Sequence, residues 1–347
     1  MRRTTKNIFF LALTILGWLS PSQAVAQTKI AQTKIRLATL LPRGSSHYQI
    51  LESMGQQWRS ASGGGFNLAI YADGTMGGEA ETVKRMRIGQ IQAATLSVDG
   101  LSEIDPSVGA LQKIPMVYRS LDEMEYVRLH MEPELERRLE AKGFVVLFWA
   151  DTGWVNIFCR QPALHPDEFK RTKVFVGATD NDEFAVVKGL GIQAVPLEWS
   201  DVLTSLRTGM VDTVPTVPFF ALAGQYDLVA RHMLDLPWVP LIGATVITKK
   251  AWDAIPQQYH EAFRKSAADA GKEMQARGRQ ESLEAIGAMK KRGLQVHPVS
   301  PELQEEWRRF AEAVYPRMRG SMVPADMFDE VLQLVREYRV SGGGAKS

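Results

Sequence analysis

From Ile35 onward the chain alternates short apolar runs with stretches of helical periodicity, and this alternation is what most narrows its possible folds. Strands interleaved with helices build a helix-covered sheet of the α/β class, not a bundle or a sandwich. The patterns predict strands over 35–41, 66–71 and 93–97, with a turn at Asp73-Gly74, and helices over 46–58 and 78–88. A strongly charged helix is expected over 123–142, stopped by Gly143. Residues 144–149 form an unbroken apolar run, as in a strand covered on both faces.

After Trp149 the rhythm restarts, with strands near 155–159, 173–176 and 194–196 and helices over 180–190 and 200–208. Two α/β halves are therefore expected, with a hinge near 151–153, and 347 residues suffice for two domains of roughly 150 each. Residues 241–248 read as a returning strand. Pro256 starts a helical pattern running to about Lys291, well beyond the usual three or four turns, and a helix that long can brace two lobes. Two more amphipathic helices are expected over 301–338, before a frayed tail at Gly342-Gly343-Gly344.

The first 26 residues stand apart. Arg2, Arg3 and Lys6 precede an apolar run from Ile8 to Leu19 and a small-residue site, Ala24-Val25-Ala26, which together read as a secretory signal peptide cut near Ala26. The run is too short to span a bilayer, which takes about 20 apolar residues, and no cysteine follows it to carry a lipid. The next best apolar stretch, 234–247, is interrupted by Pro237 and Pro240. The pentapeptide of residues 26–30 recurs at 31–35, which reads as a small duplication in an exposed leader. Lys and Arg total 41 against 39 Asp and Glu; without the leader's three basic residues the formal charge drops from +2 to −1. Nothing in that balance gathers phosphates, so nucleic acid is not an expected partner.

Motifs for catalysis or metal binding are missing from the sequence. No two of the six histidines share a helix face, and no HExxH, GxSxG or P-loop occurs. Ser45-Ser46-His47 reads as a polar loop with a serine capping the next helix, Gly63-Gly64-Gly65 as a turn, and the single cysteine, Cys159, as a small buried hydrophobe. No catalytic residue, metal site or cofactor is assigned.

The stretch AVPLEWSDVLTSLRTGMVD, residues 194–212, is the most informative: a strand, a helix N-capped at Ser200 and closed by Gly209, and a new strand at Val211-Asp212. Here the sequence resembles the substrate-binding subunits of tripartite ATP-independent periplasmic (TRAP) transporters, the DctP-like family. Gly77-Gly78-Glu79-Ala80-Glu81, Lys113-Ile114-Pro115-Met116-Val117-Tyr118 and His165-Pro166-Asp167-Glu168-Phe169-Lys170 follow the family's pattern in the same order. The resemblance implies a two-lobed α/β periplasmic binding protein with the ligand cleft between lobes joined by two strands and a long bracing helix. Residues 27–152 plus 240–281 would form lobe I, and 153–239 plus 282–347 lobe II. It also implies a small-molecule ligand, commonly an organic acid, and docking onto TRAP membrane subunits.

The sequence departs from the family where the ligand's charge is met. The family's strand carries an arginine that forks onto a carboxylate; in Arg171-Thr172-Lys173-Val174-Phe175-Val176 the position is Phe175. Trp154-Val155 occupies a second basic position, and Thr213-Val214-Pro215-Thr216-Val217 replaces a segment that often carries an amide. Phe175, Trp154, Phe219 and Thr216 are accordingly expected to bind a mainly apolar or aromatic ligand, with Trp149 and Trp238 as further walls. Ordinary core is the alternative for each aromatic. Glu79 and Asp99 are the expected polar members, with a cap and a loop role as their alternatives. The leading function is a periplasmic solute receptor for a TRAP-type permease. Behind it stand a periplasmic carrier of hydrophobic or lipid-like molecules without a permease, an organic-acid receptor using Lys173, and an enzyme or scaffold on the same two lobes.

Overall fold

Two long strands, β4 (Phe144–Cys159) and β8 (His232–Thr248), pair antiparallel at the centre of a nine-stranded mixed sheet. The computed structural model describes residues 33–178 and 181–342; the expected signal peptide lies outside them. Beyond β8 stand β3 (Ala93–Ser97), β1 (Thr33–Thr39) and β2 (Phe66–Tyr71), with β1 parallel to both its neighbours. Beyond β4 stand β7 (Thr213–Thr216), β5 (Lys173–Gly177) and β6 (Gln193–Leu197), while β9 (Gln295–Pro298) runs parallel to the start of β8. The sheet order is β2-β1-β3-β8-β4-β7-β5-β6. This is the expected α/β class.

Some expectations need correction. The second copy of the duplicated pentapeptide is not leader: Thr33 pairs with Phe66, and Ile35 is a core residue of β1. The strands expected at 144–149 and 155–159 are one strand, and the one expected at 241–248 is the second half of β8. Pairing between β4 and β8 bulges at residues 151–153, where the hinge is expected. Asp151 pairs with Ile242 and Trp154 with Pro240, so β4 carries one extra residue there, and Gly153 takes it up at φ 94°. Farther out, Val155 pairs with Val239 and Ile157 with Leu234, so the extra length lies on β8 and contains Pro237. A proline is accommodated there because the ladder is already interrupted.

Helix Ser46–Ala61 begins at Ser45, whose Oγ accepts from the Tyr48 N–H at 3.2 Å, and it buries Leu51, Met54 and Trp58 at helical spacing. Its partner is the 35-residue helix Gln257–Lys291. Trp58 stacks on Phe263 with centroids 4.4 Å apart and donates its indole N–H to Ser266 Oγ at 2.8 Å. More than three turns along the same helix, Arg279 forks onto Asp151 at 2.8 and 2.7 Å, and Ser282 Oγ donates to the Thr152 carbonyl at 2.9 Å. The long helix is thereby fastened to β4 at its bulge. Asp151 is 1% exposed, and the fork supplies its partner inside the fold.

The helix expected over 200–208 begins as a 3-10 turn, Trp199–Asp201, before Val202–Thr208, and Ser200 does not cap it. Gly209 ends it in the left-handed region, at φ 73°. Three helices, Pro301–Glu312, Tyr315–Met318 and Ala325–Val340, stand where two were expected, the chain turning at Gly320 with φ 89°. Among the described residues no helix is long and apolar enough to cross a membrane.

Candidate functional site

A cavity of about 570 Å³ opens over the bulge of β4 and β8, within the size range of small-molecule sites. One wall comes from the ends of β1 and β3 and from Gly77, Gly78 and Glu79; the opposite wall comes from the ends of β5 and β6 and from Phe220 and Tyr226. Phe148, Ala150 and Thr152 of β4 and residues 241–244 of β8 lie between them. The walls approach closely at the rim: a Cβ on Gly78 would lie 3.0 Å from Glu198 Oε2.

Glu79 and Asp99, the expected polar members, are among the residues that line this cavity. Glu79 also does capping work, though for a neighbouring turn. Its carboxylate accepts from Ser97 N (2.7 Å), Ser97 Oγ (2.6 Å) and Gly100 N (3.0 Å) at the start of helix Val98–Ser102. Burial nonetheless pushes its carboxyl up to about 7 against those donors. Asp99 lies 3.4 Å from Lys113 Nζ, and Asp73 accepts from the Arg43 N–H at 2.9 Å.

The other expected residues lie elsewhere. Phe175 is 4% exposed in a cluster with Phe158, Val202 and Leu206, and its ring meets Trp199 edge-on at 4.6 Å. Trp199, 40% exposed, is what faces the cavity, with Phe175 behind it. Trp149 is buried and donates its indole N–H to Glu136 at 3.1 Å. It turns away because β4 offers Phe148, Ala150 and Thr152 to the cavity, and alternation sends Trp149 to the other face. Trp154, one step past the bulge, packs against the core of the β1–β3 side. Trp238 lies on Trp307 and Phe310, and Thr216 is buried at the end of β7. Phe219 packs 5.0 Å from His47 and 5.2 Å from Phe220, both of them lining residues.

Lys173 donates to the Gly209 carbonyl and sits 3.7 Å from Asp212, so it serves the end of a helix and does not line the cavity. Sequence reading missed Trp199, Phe148 and His47. Trp199 left a signal: a large aromatic between Glu198 and Ser200, in a polar segment after a strand. Cys159 is buried beside Thr213, and burial pushes its thiol up to about 11, which makes it inert. Among the described residues no group of three or more His, Cys, Asp or Glu is placed to hold a metal.

Most of the cavity surface is apolar, and none of the described residues lining it is Lys or Arg. A cleft between α/β halves that cross on two central strands, under a long fastening helix, defines the class of two-lobed solute-binding proteins. Residues 37–321 match the family described as "Bacterial extracellular solute-binding protein, family 7" (DctP), and the chain belongs to it. A C4-dicarboxylate-binding periplasmic protein of Rhodobacter capsulatus is 22% identical over 262 residues, 74% of this chain and 77% of that one. The sugar-acid-binding protein of Advenella mimigardefordensis, solved with galactonate, is similar in fold at a TM-score of 0.82 with 19% identity, over 89% of this chain and 99% of that one. A TRAP periplasmic solute-binding protein from Haemophilus influenzae, solved with L-gulonate, matches with a TM-score of 0.80 and 18% identity, over 88% and 99%.

Proposed function

We propose that this family member is exported by its 1–26 leader, captures a largely apolar or aromatic small molecule between its lobes, and hands it to a TRAP-type permease. Lobe I is then 27–152 plus 240–281, and lobe II 153–239 plus 282–347. The observation that carries the ligand class is a cavity wall with aromatic surface from Phe148, Trp199, Phe220 and Tyr226 and no lysine or arginine among its described residues. A carboxylate enclosed there without a paired cation would cost several kcal/mol, about what an uncompensated buried ion costs after relaxation. The galactonate and gulonate of the solved relatives are such acids, and Phe175, where the family's arginine is expected, lies under Trp199. Burying apolar surface against this wall contributes roughly 25 cal/mol per Å², before ordering costs.

Mass spectrometry of whatever copurifies with the protein, released by denaturation, tests the reading. An uncharged, ring-bearing compound at one per chain is expected. Recovery of a sugar acid or a C4 dicarboxylate in that ratio overturns it.

A further inference from the structure

His232 opens β8 and His297 lies in β9; 65 residues separate them in sequence, and the parallel pairing of the two strands brings them together. His232 stands opposite Gln295 and Leu234 opposite His297, so the histidines are diagonal neighbours on one face of the sheet. Their rings lean together until His232 Nδ1 and His297 Nε2 are 3.0 Å apart, with ring centres 5.3 Å apart and planes at 27°. The two nitrogens therefore meet head to head. They cannot both carry a hydrogen at that distance, so at least one presents a bare lone pair.

The other described histidines find oxygen partners: His47 in Ser46, His130 in the Tyr126 carbonyl, His165 in Glu306 and His260 in the Ile255 carbonyl. Among the described residues, His232 and His297 have only each other. Both are half-buried, and no described strand pairs with the outer side of β9, so the sheet holds the two rings together within reach of solvent. Neither lines the cavity.

Bonds of about 2.0–2.1 Å to one ion put two imidazole nitrogens about 2.8–3.0 Å apart at a right angle and about 3.3–3.4 Å apart at the tetrahedral angle. The 3.0 Å already present meets the first spacing and is a few tenths of an ångström short of the second. Turning each ring about its Cβ–Cγ bond, a soft torsion, aims both lone pairs at a shared ion. Each ring then keeps its single hydrogen on the outer nitrogen, His232 Nε2 and His297 Nδ1. We infer that His232 and His297 form a binding site for a nitrogen-preferring divalent transition ion of the zinc class, with water in the remaining positions, and that the ion clasps β9 to the start of β8. Calcium and magnesium, which take oxygen ligands, do not suit this donor set. The site lies apart from the cavity and stands or falls independently of the ligand proposed there.

Calorimetric titration of the chelator-treated protein with Zn2+, Ca2+ and Mg2+ tests this. One Zn2+ per chain should bind, and the other two ions should not compete with it. His232→Gln and His297→Gln should each weaken zinc binding roughly tenfold or more, the scale on which even a changed outer-shell partner weakens a metal site. His165→Gln, at the exposed pair with Glu306, should leave zinc binding unchanged. Absence of zinc binding, competition by calcium or magnesium, loss of binding with His165→Gln, or binding that survives replacement of both His232 and His297 overturns the inference. A second readout needs no variant: the 15N resonances of His232 Nδ1 and His297 Nε2 in the wild type should shift together as one equivalent of Zn2+ is added. A shift of only one of them, or of neither, also overturns it.

Discussion

Glu79 is the side chain whose charge the fold leaves most finely balanced. Three donors favour the carboxylate, burial favours the acid, and burial wins, so the proton is held up to about pH 7. The folded state therefore binds this proton more tightly than the unfolded chain, whose ordinary value is 4.5. Its contribution to stability is complete below that ordinary value and is lost as pH rises through about 7; the integrated loss is about 3 kcal/mol. Urea unfolding from pH 4 to pH 8 should show the wild type losing that much more stability than Glu79→Gln. Parallel curves for the two proteins would mean that Glu79 does not hold the proton.

At the scale of elements, the glycines of the long helix divide by what lies opposite them. A Cβ at Gly271 would sit 2.8 Å from Phe148 Cβ, whereas one at Gly287 would meet nothing within 4 Å. Gly287→Ala should stabilise the protein by about 0.5–1 kcal/mol through helix propensity. Gly271→Ala should destabilise it by about 1–3 kcal/mol through overpacking, with Phe148 displaced. Thermal unfolding of the two variants checks both signs. Strands such as Phe66–Tyr71 and Ala93–Ser97 were legible because turn residues bound them. The continuity of β4 and β8 was not, because a bulge is a property of two paired strands and neither strand records it alone. Nor was the facing of the aromatics: in a strand buried on both sides nothing marks which face meets the cleft, so Trp149 was expected where Phe148 stands. The substitution at Phe175 was visible, but the indole of Trp199 laid over it arises from tertiary packing.

For the whole molecule, the bulge between Asp151 and Trp154 and the excursion of β8 around Pro237 are where the central ladder is already broken. Ligand-driven closure should bend the strands there, about 151–153 and 238–241, while the fork of Arg279 onto Asp151 holds the long helix to the pivot. Small-angle scattering with and without the copurifying compound should show a smaller radius of gyration in its presence. An unchanged radius would remove the hinge. The position of β8 has another consequence, for the timing of folding. It lies between β3 and β4, yet it is made some 70 residues after β4 ends, counting from Cys159 to His232. The two halves of the sheet cannot be joined until the ribosome has passed Thr248, and such long-range pairing is slow in any case. For most of its synthesis the chain therefore lacks the strand that joins the two halves of its sheet.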